Sequence, residues 1–339
     1  MVNPFGHSAL LGPDAFSDGR RLQVGVLTNP RSGGNKKGGR AVRNVLANWP
    51  DVLQRDAVDP DSVSKALSDF ANNGVELVVV NGGDGTIHAV LTAIGNEQFF
   101  AQPPLLALLC AGTTSMLPRD VGVAGAPAAA LAQLLEWAKC TDVRFSVQPR
   151  HILHVLGSSK RPPLFGMFFG AGAICQGIKL FHSEDNPMGW RGQLMPAVTM
   201  LRFLWAILSK DRVKISPFLT KTSLDARTPE NKSDLFVLVS SLERLLLGMR
   251  PYWGRENGPL RYTAVDTEPK YLLRVLTSLL RSKESRHATP VNGYYSHNVH
   301  KVQLVMDGEF TLDGELYAAG EEPVTIESSG PAMFVVQGR

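Results

Sequence analysis

With 339 residues, 44% of them hydrophobic and 19% charged, the chain is long enough for about two domains and too apolar for a disordered segment. Lys plus Arg exceed Asp plus Glu by 35 − 31 = 4, too small a surplus for a whole-molecule nucleic-acid footprint, so any basic surface is local. The cysteines Cys110, Cys140 and Cys175 lie far apart with no C-x-x-C pair, which argues against a disulfide framework or a zinc site and for a reducing, cytoplasmic compartment.

From the N-terminus, Met1 to Gly19 has no positive segment leading an apolar core, so a secretory signal is not expected. The next stretch alternates strand-like and helix-like segments. Leu22 to Thr28 reads as a buried strand, Gly39 to Trp49 as a helix, Val52 to Val58 as a weak strand, and Asp61 to Asn73 as a helix capped by Asp61. Val75 to Val80 is the clearest strand, since its unbroken apolar run suits a strand covered on both faces. Thr86 to Gly95 (helix), Leu105 to Leu109 (strand) and Pro127 to Lys139 (helix) complete a doubly wound α/β pattern.

Beyond Thr141 the texture changes. Val143 to Val147, Ile152 to Leu156, Leu164 to Phe169, Leu235 to Val239 and Val302 to Val305 read as strands of a mostly antiparallel, β-sandwich-like domain. Leu194 to Leu208 and Lys270 to Lys283 read as helices within it, and Thr222 to Ser233, polar and holding Pro229, as a loop. The expected division is therefore residues 1–141, with 318–339 as a candidate completion, and residues 142–317. Leu194 to Leu208 holds Pro196 and Arg202 and falls short of the ~20 apolar residues that span a bilayer.

Gly82-Gly83-Asp84-Gly85-Thr86 follows the clearest strand and opens a helix. Glycines let backbone amides approach a ligand, and the helix adds unpaired N–H groups, so this string is built to cradle phosphate. A carboxylate inside it, Asp84, makes sense where it holds Mg²⁺ or receives a proton. Asn29-Pro30-Arg31-Ser32-Gly33-Gly34 after the first strand and Gly112-Thr113-Thr114 after the Leu105 strand occupy the equivalent strand-end positions, where open α/β sheets bind ligands. No G-x-x-x-x-G-K-[ST], G-x-G-x-x-G or G-x-S-x-G supports a P-loop enzyme, a dehydrogenase or a hydrolase. The histidines, His88 among them, read as structural or surface residues.

These strings, N-P-x-S-G-G, G-G-D-G-T and G-T-T, resemble the diacylglycerol kinase catalytic domain family, shared by bacterial lipid kinases, sphingosine kinases and ceramide kinases. The resemblance continues in Pro251-Tyr252-Trp253-Gly254, in Gly258 to Val265 with the Arg/Leu helix after it, and in Leu312-Asp313-Gly314-Glu315. It implies an α/β nucleotide domain followed by a β-sandwich-like lipid domain, with ATP phosphorylating a membrane lipid hydroxyl. It further implies that Asn29, Ser32, Gly33, Gly83, Asp84, Gly85, Thr86 and Thr113 bind ATP and that Asp313 and Glu315 are the catalytic carboxylates.

Residue chemistry agrees on the last pair. A lipid alcohol is nearly as weak an acid as water, with a pKa of about 15.7, and benefits from a carboxylate that takes its proton. On an extended strand, residues two apart face one side. The rival Asp307-Gly308-Glu309 reads as a hairpin turn between Val302 to Met306 and Phe310 to Leu312. Two departures stand out: Ser115-Met116 where many relatives carry Asn-Asp, and Glu256-Asn257-Gly258 where many bacterial members carry an Asp-Asp-Gly at a structural Mg²⁺, so no second metal is assigned. Diacylglycerol is the first acceptor considered, then a ceramide or a sphingoid base. An NAD kinase and a non-catalytic nucleotide or lipid sensor are the rival readings. Nine Lys/Arg against four acids between Arg244 and Arg286, a surplus of 9 − 4 = 5, and the cations around Leu194 to Leu208 suit transient docking on an anionic membrane surface, at the inner face.

Overall fold

A computed structural model describes residues 4–6, 21–112, 115–140, 145–157, 161–182, 218–245, 248–281 and 283–337. The expected helix Leu194 to Leu208 lies outside the described residues. The chain divides into two compact units, Met1–Ile152 with Ser329–Arg339, and Leu153–Ser328.

The first unit is a parallel α/β layer. Its strands β1 (Val24–Thr28), β2 (Leu53–Asp56), β3 (Leu77–Gly82) and β4 (Leu105–Cys110) alternate with helices α1 (Asn35–Ala47), α2 (Pro60–Asn72) and α3 (Asp84–Asn96), and α4 (Met116–Val121) and α5 (Pro127–Cys140) follow. The sheet order is β2-β1-β3-β4, all parallel, extended by a pairing of Phe334 with Leu106. Val24, Val26, Leu77, Val79, Leu105, Ala107 and Leu109 share a core with Val42 and Leu46 of α1 and Leu131, Leu134 and Trp137 of α5. Leu27, Val78, Val80, Leu106 and Leu108 alternate with them and are equally buried, so they face the opposite side, where α2 and α3 pack together. Coverage of both faces explains why β3 reads as an unbroken apolar run.

Helix α2 starts one residue earlier than expected, and its cap is Asp59 rather than Asp61. Asp59 accepts from Ser62 N–H at 2.8 Å while Ser62 Oγ accepts from Asp59 N–H at 3.1 Å, a reciprocal capping box with Pro60 at the first helical position.

The second unit is antiparallel and β-rich. Phe145 to Val147 and Ile152 to Leu156, expected as parts of two strands, belong to one, β5 (Phe145–Leu156), which begins in the first unit and ends in the second, while Val143 and Arg144 lie outside the described residues; Leu164 to Phe169 divides into β6 (Leu164–Gly166) and β7 (Phe168–Gly172), with α6 (Ala173–His182) after it. The stretch Thr222 to Ser233, expected as a loop, is instead most of a hairpin. Strands β8 (Phe218–Leu224) and β9 (Glu230–Ser240) pair in antiparallel register from Phe218↔Asp234 to Thr222↔Glu230. The inward positions of β8 include Thr220 and Thr222, both buried, so a period-two pattern exists but is written in hydroxyls that an apolar count misses.

Strand β9 pairs with β7 on one side and with β10 (Leu260–Asp266) on the other, and β10 pairs with β11 (Tyr294–Val299). Helix α7 (Leu272–Leu280) connects those two strands, followed by a 3-10 turn at Pro290–Asn292. β12 (Lys301–Met306) lies between β8 and the start of β15 (Val324–Gln337), and β13 (Glu309–Leu312) lies between β7 and β14 (Glu315–Ala318). Phe169, Val237, Val239, Tyr262, Leu304, Phe310 and Ile326 are among the buried residues of its main core.

One acid interrupts that apolar interior. Asp234 is fully buried in β9, next to the register shift at Val265/Asp266. Its Oδ2 accepts from Thr220 Oγ1 at 2.7 Å, and Thr220 Oγ1 accepts from Thr222 Oγ1 at 3.2 Å, while Oδ1 has no partner among the described residues. Burial pushes the Asp234 carboxyl up to about 6; the Thr220 hydrogen bond and the Lys232 charge oppose this, and Asp266 adds to it. A folded-state value above the unfolded one favours the protonated form, so this contribution is full below the ordinary value of 3.8 and is lost as pH rises through about 6. Asp234→Asn, which mimics the neutral acid, should gain on wild type by roughly 3 kcal/mol of unfolding free energy between strongly acidic and neutral pH. Paired urea titrations across that range will measure the difference, and parallel curves would refute it.

Candidate functional site

Three loops leave the carboxyl ends of the adjacent strands β1, β3 and β4 and bind one another before entering α1, α3 and α4. Asn29 N–H donates to the Asn81 carbonyl at 3.0 Å, and Gly34 N–H donates to the Ala111 carbonyl at 2.8 Å. Gly83 N–H donates to Ser32 Oγ at 3.1 Å, and Asn29 Nδ2 donates to Thr86 Oγ1 at 2.9 Å. Arg31 N–H donates to Asn29 Oδ1 at 2.9 Å, which closes a turn over Pro30.

The approach is close enough to demand glycine. A Cβ on Gly112 would lie 2.8 Å from Gly83 Cα, and one on Gly34 would lie 2.6 Å from the Ala111 carbonyl oxygen. Gly34 and Gly83 are the N-caps of the 13-residue helices α1 and α3, and neither provides a side-chain cap. Two helix N-termini therefore open on the same loops and direct their partial positive charge there, although Lys36 N–H and Thr86 N–H already donate to the Ser32 and Gly83 carbonyls at 3.0 Å.

Asp84 sits in the first turn of α3, and its carboxylate spans to the third loop. Oδ2 accepts from Met116 N–H and Oδ1 from Leu117 N–H, each at 3.1 Å, so Asp84 caps the short helix α4 from outside. Ser115, at φ 47° in the left-handed region, exchanges hydrogen bonds with Gly112 through Oγ at 3.1 and 3.0 Å. The amides of Met116 and Leu117 thus tie the third loop to the Asp84 carboxylate. Burial raises the Cys110 thiol above its ordinary value, with the Arg119 charge opposing and the Asp84 charge reinforcing.

Asn29, Pro30, Arg31, Ser32, Gly33, Gly34, Gly82, Gly83, Asp84, Gly85, Thr86 and Gly112 thus belong to three adjoining loops and the helix turns they open; Thr113 lies outside the described residues. Sequence reasoning missed Asn35. Only 7% exposed, it donates through Nδ2 to the carbonyls of Asn29 and Asn81 at 2.8 and 2.9 Å, stitching the first loop to the second. Its one sequence signal was its place directly after Ser32-Gly33-Gly34.

Of the two acidic copies near the C-terminal end, the second and not the first forms a hairpin turn. β12 and β13 do not pair with each other, so Asp307-Gly308 links two strands that run to different partners. Asp313-Gly314 is the hairpin turn, between Leu312 and its partner Glu315, with φ 52° at Asp313 and 98° at Gly314. Positive φ at both central residues is the geometry that Asp-Gly favours in two-residue hairpins. Asp313 and Glu315 are therefore not on one extended strand, and the argument for a shared side does not hold. Asp313, 2% exposed, turns inward: Oδ1 accepts from Met167 N–H at 3.0 Å and Phe168 N–H at 2.9 Å, and Oδ2 shares the Met167 N–H at 3.2 Å. Glu315 is exposed, and among the described residues no hydrogen bond or ion pair holds its carboxylate. Two residues on along β14, burial with the Glu315 and Asp313 charges pushes the Tyr317 phenol up to about 12, and the Arg161 guanidinium lies 5.4 Å above its ring.

Glu256 is engaged elsewhere. It accepts from Asn298 N–H at 3.0 Å and meets His297 Nδ1 at 2.6 Å, contacts that pull its carboxyl down to about 2. Among the described residues no group of three or more His, Cys, Asp or Glu could hold a metal ion.

Residues 23–143 match the diacylglycerol kinase catalytic domain. A Caenorhabditis elegans protein whose name assigns it to the diacylglycerol kinases is 34% identical over 115 residues, which is 33% of this chain and 12% of that protein. An Enterobacter protein named as a YegS-like lipid kinase is 26% identical over 98 residues, 29% of this chain and 32% of its own. The matched stretches are thus at most a third of these relatives' lengths. Two solved structures from Bacillus anthracis, titled as a diacylglycerol kinase, superpose with TM-scores of 0.62 at 17% identity, over 94% of this chain and 97% and 98% of theirs; they share its fold. The loops Asn29 to Gly34, Gly82 to Thr86 and Gly112 all fall within residues 23–143, the stretch that matches the diacylglycerol kinase catalytic domain.

Proposed function

We propose that the chain is an ATP- and Mg²⁺-dependent lipid kinase that transfers the γ-phosphoryl group to a membrane lipid hydroxyl at the cytoplasmic face, with diacylglycerol first among the acceptors. The observation that carries this reading is the union of three strand-end loops under two helix N-termini without side-chain caps, joined by Ser32 to Gly83 and by Asn35 to Asn29 and Asn81. The family match and the names of the relatives direct the chemistry toward lipid alcohols.

The cradle fits a triphosphate, because amides and helix ends present positive potential where the glycines leave backbone unscreened. The fit to Mg²⁺ is narrower. Both Asp84 oxygens already accept main-chain amides, from Met116 and Leu117, so a metal ion would share this carboxylate with the backbone. Mg²⁺ is commonly held by one or two carboxylates plus substrate phosphates, and Asp84 would serve in that way. When bound, the ion neutralises charge developing on the β- and γ-oxygens. Asn81 Oδ1, fully buried and without a partner among the described residues, offers a further acceptor beneath the cradle.

Proton acceptance falls to Glu315. Asp313 has its lone pairs on the amides of Met167 and Phe168 and acts by holding the hairpin that begins β14, so it positions Glu315. Glu315→Gln should lower kcat at least about 10²-fold while nucleotide affinity and melting temperature stay at wild-type values. Asp313→Ala should instead destabilise the fold by about 1–3 kcal/mol, since two buried amides lose their acceptor, and a melting experiment separates the two variants. Asp84→Ala should lower turnover about 10²–10³-fold and weaken ATP binding, read by calorimetry.

The decisive assay offers labelled ATP with diacylglycerol, ceramide, sphingosine and NAD in mixed micelles and identifies the product. A phosphorylated lipid is expected. Phosphorylated NAD would make the chain an NAD kinase, and ATP binding without turnover on any acceptor would make it a sensor.

A further inference from the structure

We propose that helix α7 and the turn that follows it form a surface that docks on an anionic phospholipid bilayer. The inference does not depend on phosphoryl transfer. Helix α7 is apolar on two sides. Leu272, Val275 and Leu279, spaced i, i+3, i+7, pack on the core of Ala173, Leu235, Val265 and Tyr294. Leu273 and Leu280, also seven apart and so nearly in line on the helix, point away from that core and are 55% and 39% exposed. A helix that served only to close the unit would carry polar residues at these positions.

The apolar surface continues beyond the helix. Tyr271, 51% exposed, stacks against His287 at 4.6 Å between ring centroids. Lys270 N–H donates to the Asn292 carbonyl at 3.0 Å, which brings the turn holding Val291, 86% exposed, beside the start of α7. Four of the seven large hydrophobic residues that are exposed among the described residues therefore fall between Tyr271 and Val291. Isolated exposed leucines are ordinary, whereas a grouping of this kind marks an interaction surface.

Charge selects the occupant. From Glu268 to Val291 there are five cations, Lys270, Arg274, Arg281, Lys283 and Arg286, against Glu268 and Glu284, a surplus of 5 − 2 = 3 out of the whole chain's +4. All five are exposed, and Glu284 is met by Arg255 at 3.9 Å, which adds another cation beside it. Arg274 lies 5.6 Å above the Tyr271 ring, so cation and aromatic are presented together. Leucine and tyrosine that enter the acyl boundary, ringed by Lys and Arg that reach lipid phosphates, are the two components of interfacial binding. An acidic protein partner would match the charge but would leave this cation-ringed apolar edge without a counterpart.

The test uses the full chain, without ATP, in co-sedimentation with phosphatidylcholine vesicles that contain or lack phosphatidylglycerol. Wild type should bind the anionic vesicles at least about tenfold more tightly than the neutral ones, and added salt should weaken it. Arg274→Glu with Arg281→Glu, and separately Leu273→Gln with Leu280→Gln, should each lower affinity for anionic vesicles about tenfold with melting temperature unchanged. The control pair Arg40→Glu with Arg43→Glu, exposed on α1, makes the same change in net charge and should alter binding less than about twofold. Equal loss in the control, wild-type binding by both α7 variants, or a concentration-dependent dimer abolished by the leucine changes would overturn the proposal. A kinase-dead protein that still binds vesicles through α7 would leave this inference standing and remove only the catalytic reading.

Discussion

The structure of the first unit depends on one constraint: backbone polar groups at the carboxyl edge of a parallel sheet must find partners across loops. Strands β1, β3 and β4 end side by side, so each loop meets amides and carbonyls of its neighbour. Ser32, Asn35 and Asp84 answer this with side chains, each satisfying main-chain groups on another loop. The consequence is preorganisation. The glycines let the loops approach one another closely, while the three polar side chains hold them in place, so an anion would meet a surface already formed.

The second unit uses the same device for another purpose. Asp313 is buried, yet its carboxylate accepts amides from the bend between β6 and β7. Asp234 has only a hydroxyl to answer it and consequently takes up a proton more readily than an exposed acid. The two buried aspartates thus differ in their partners: Asp313 faces two main-chain amides, and Asp234 faces one hydroxyl.

Much of the first unit was legible because its signals are local and redundant. Covered strands give unbroken apolar runs, glycine strings mark their ends, and α2 carries its own capping box, displaced by two residues from where Asp61 suggested it. The second unit was harder to read. Thr220 and Thr222 hide the alternation of β8, and the long strand β5 carries Gln148, Pro149 and Arg150 in mid-run, which break its apolar pattern into two apparent pieces. The two Asp-Gly pairs are equivalent by local propensity. Only long-range pairing separates them: β13 returns on β14, while β12 departs to β8 and β15. The carboxylate of Asp84 was likewise readable as present but not as occupied, since its partners are main-chain amides 32 and 33 residues away.

The hairpin at Asp313-Gly314 has no slack. Two residues connect paired positions, and their number is fixed as firmly as the positive φ of Asp313 and Gly314. Deleting one residue there would shift β14 by one step and bring Leu316 to the place where Glu315 now stands, reversing the faces of β14. At that corner the length of the chain is as binding a requirement as the inward carboxylate of Asp313.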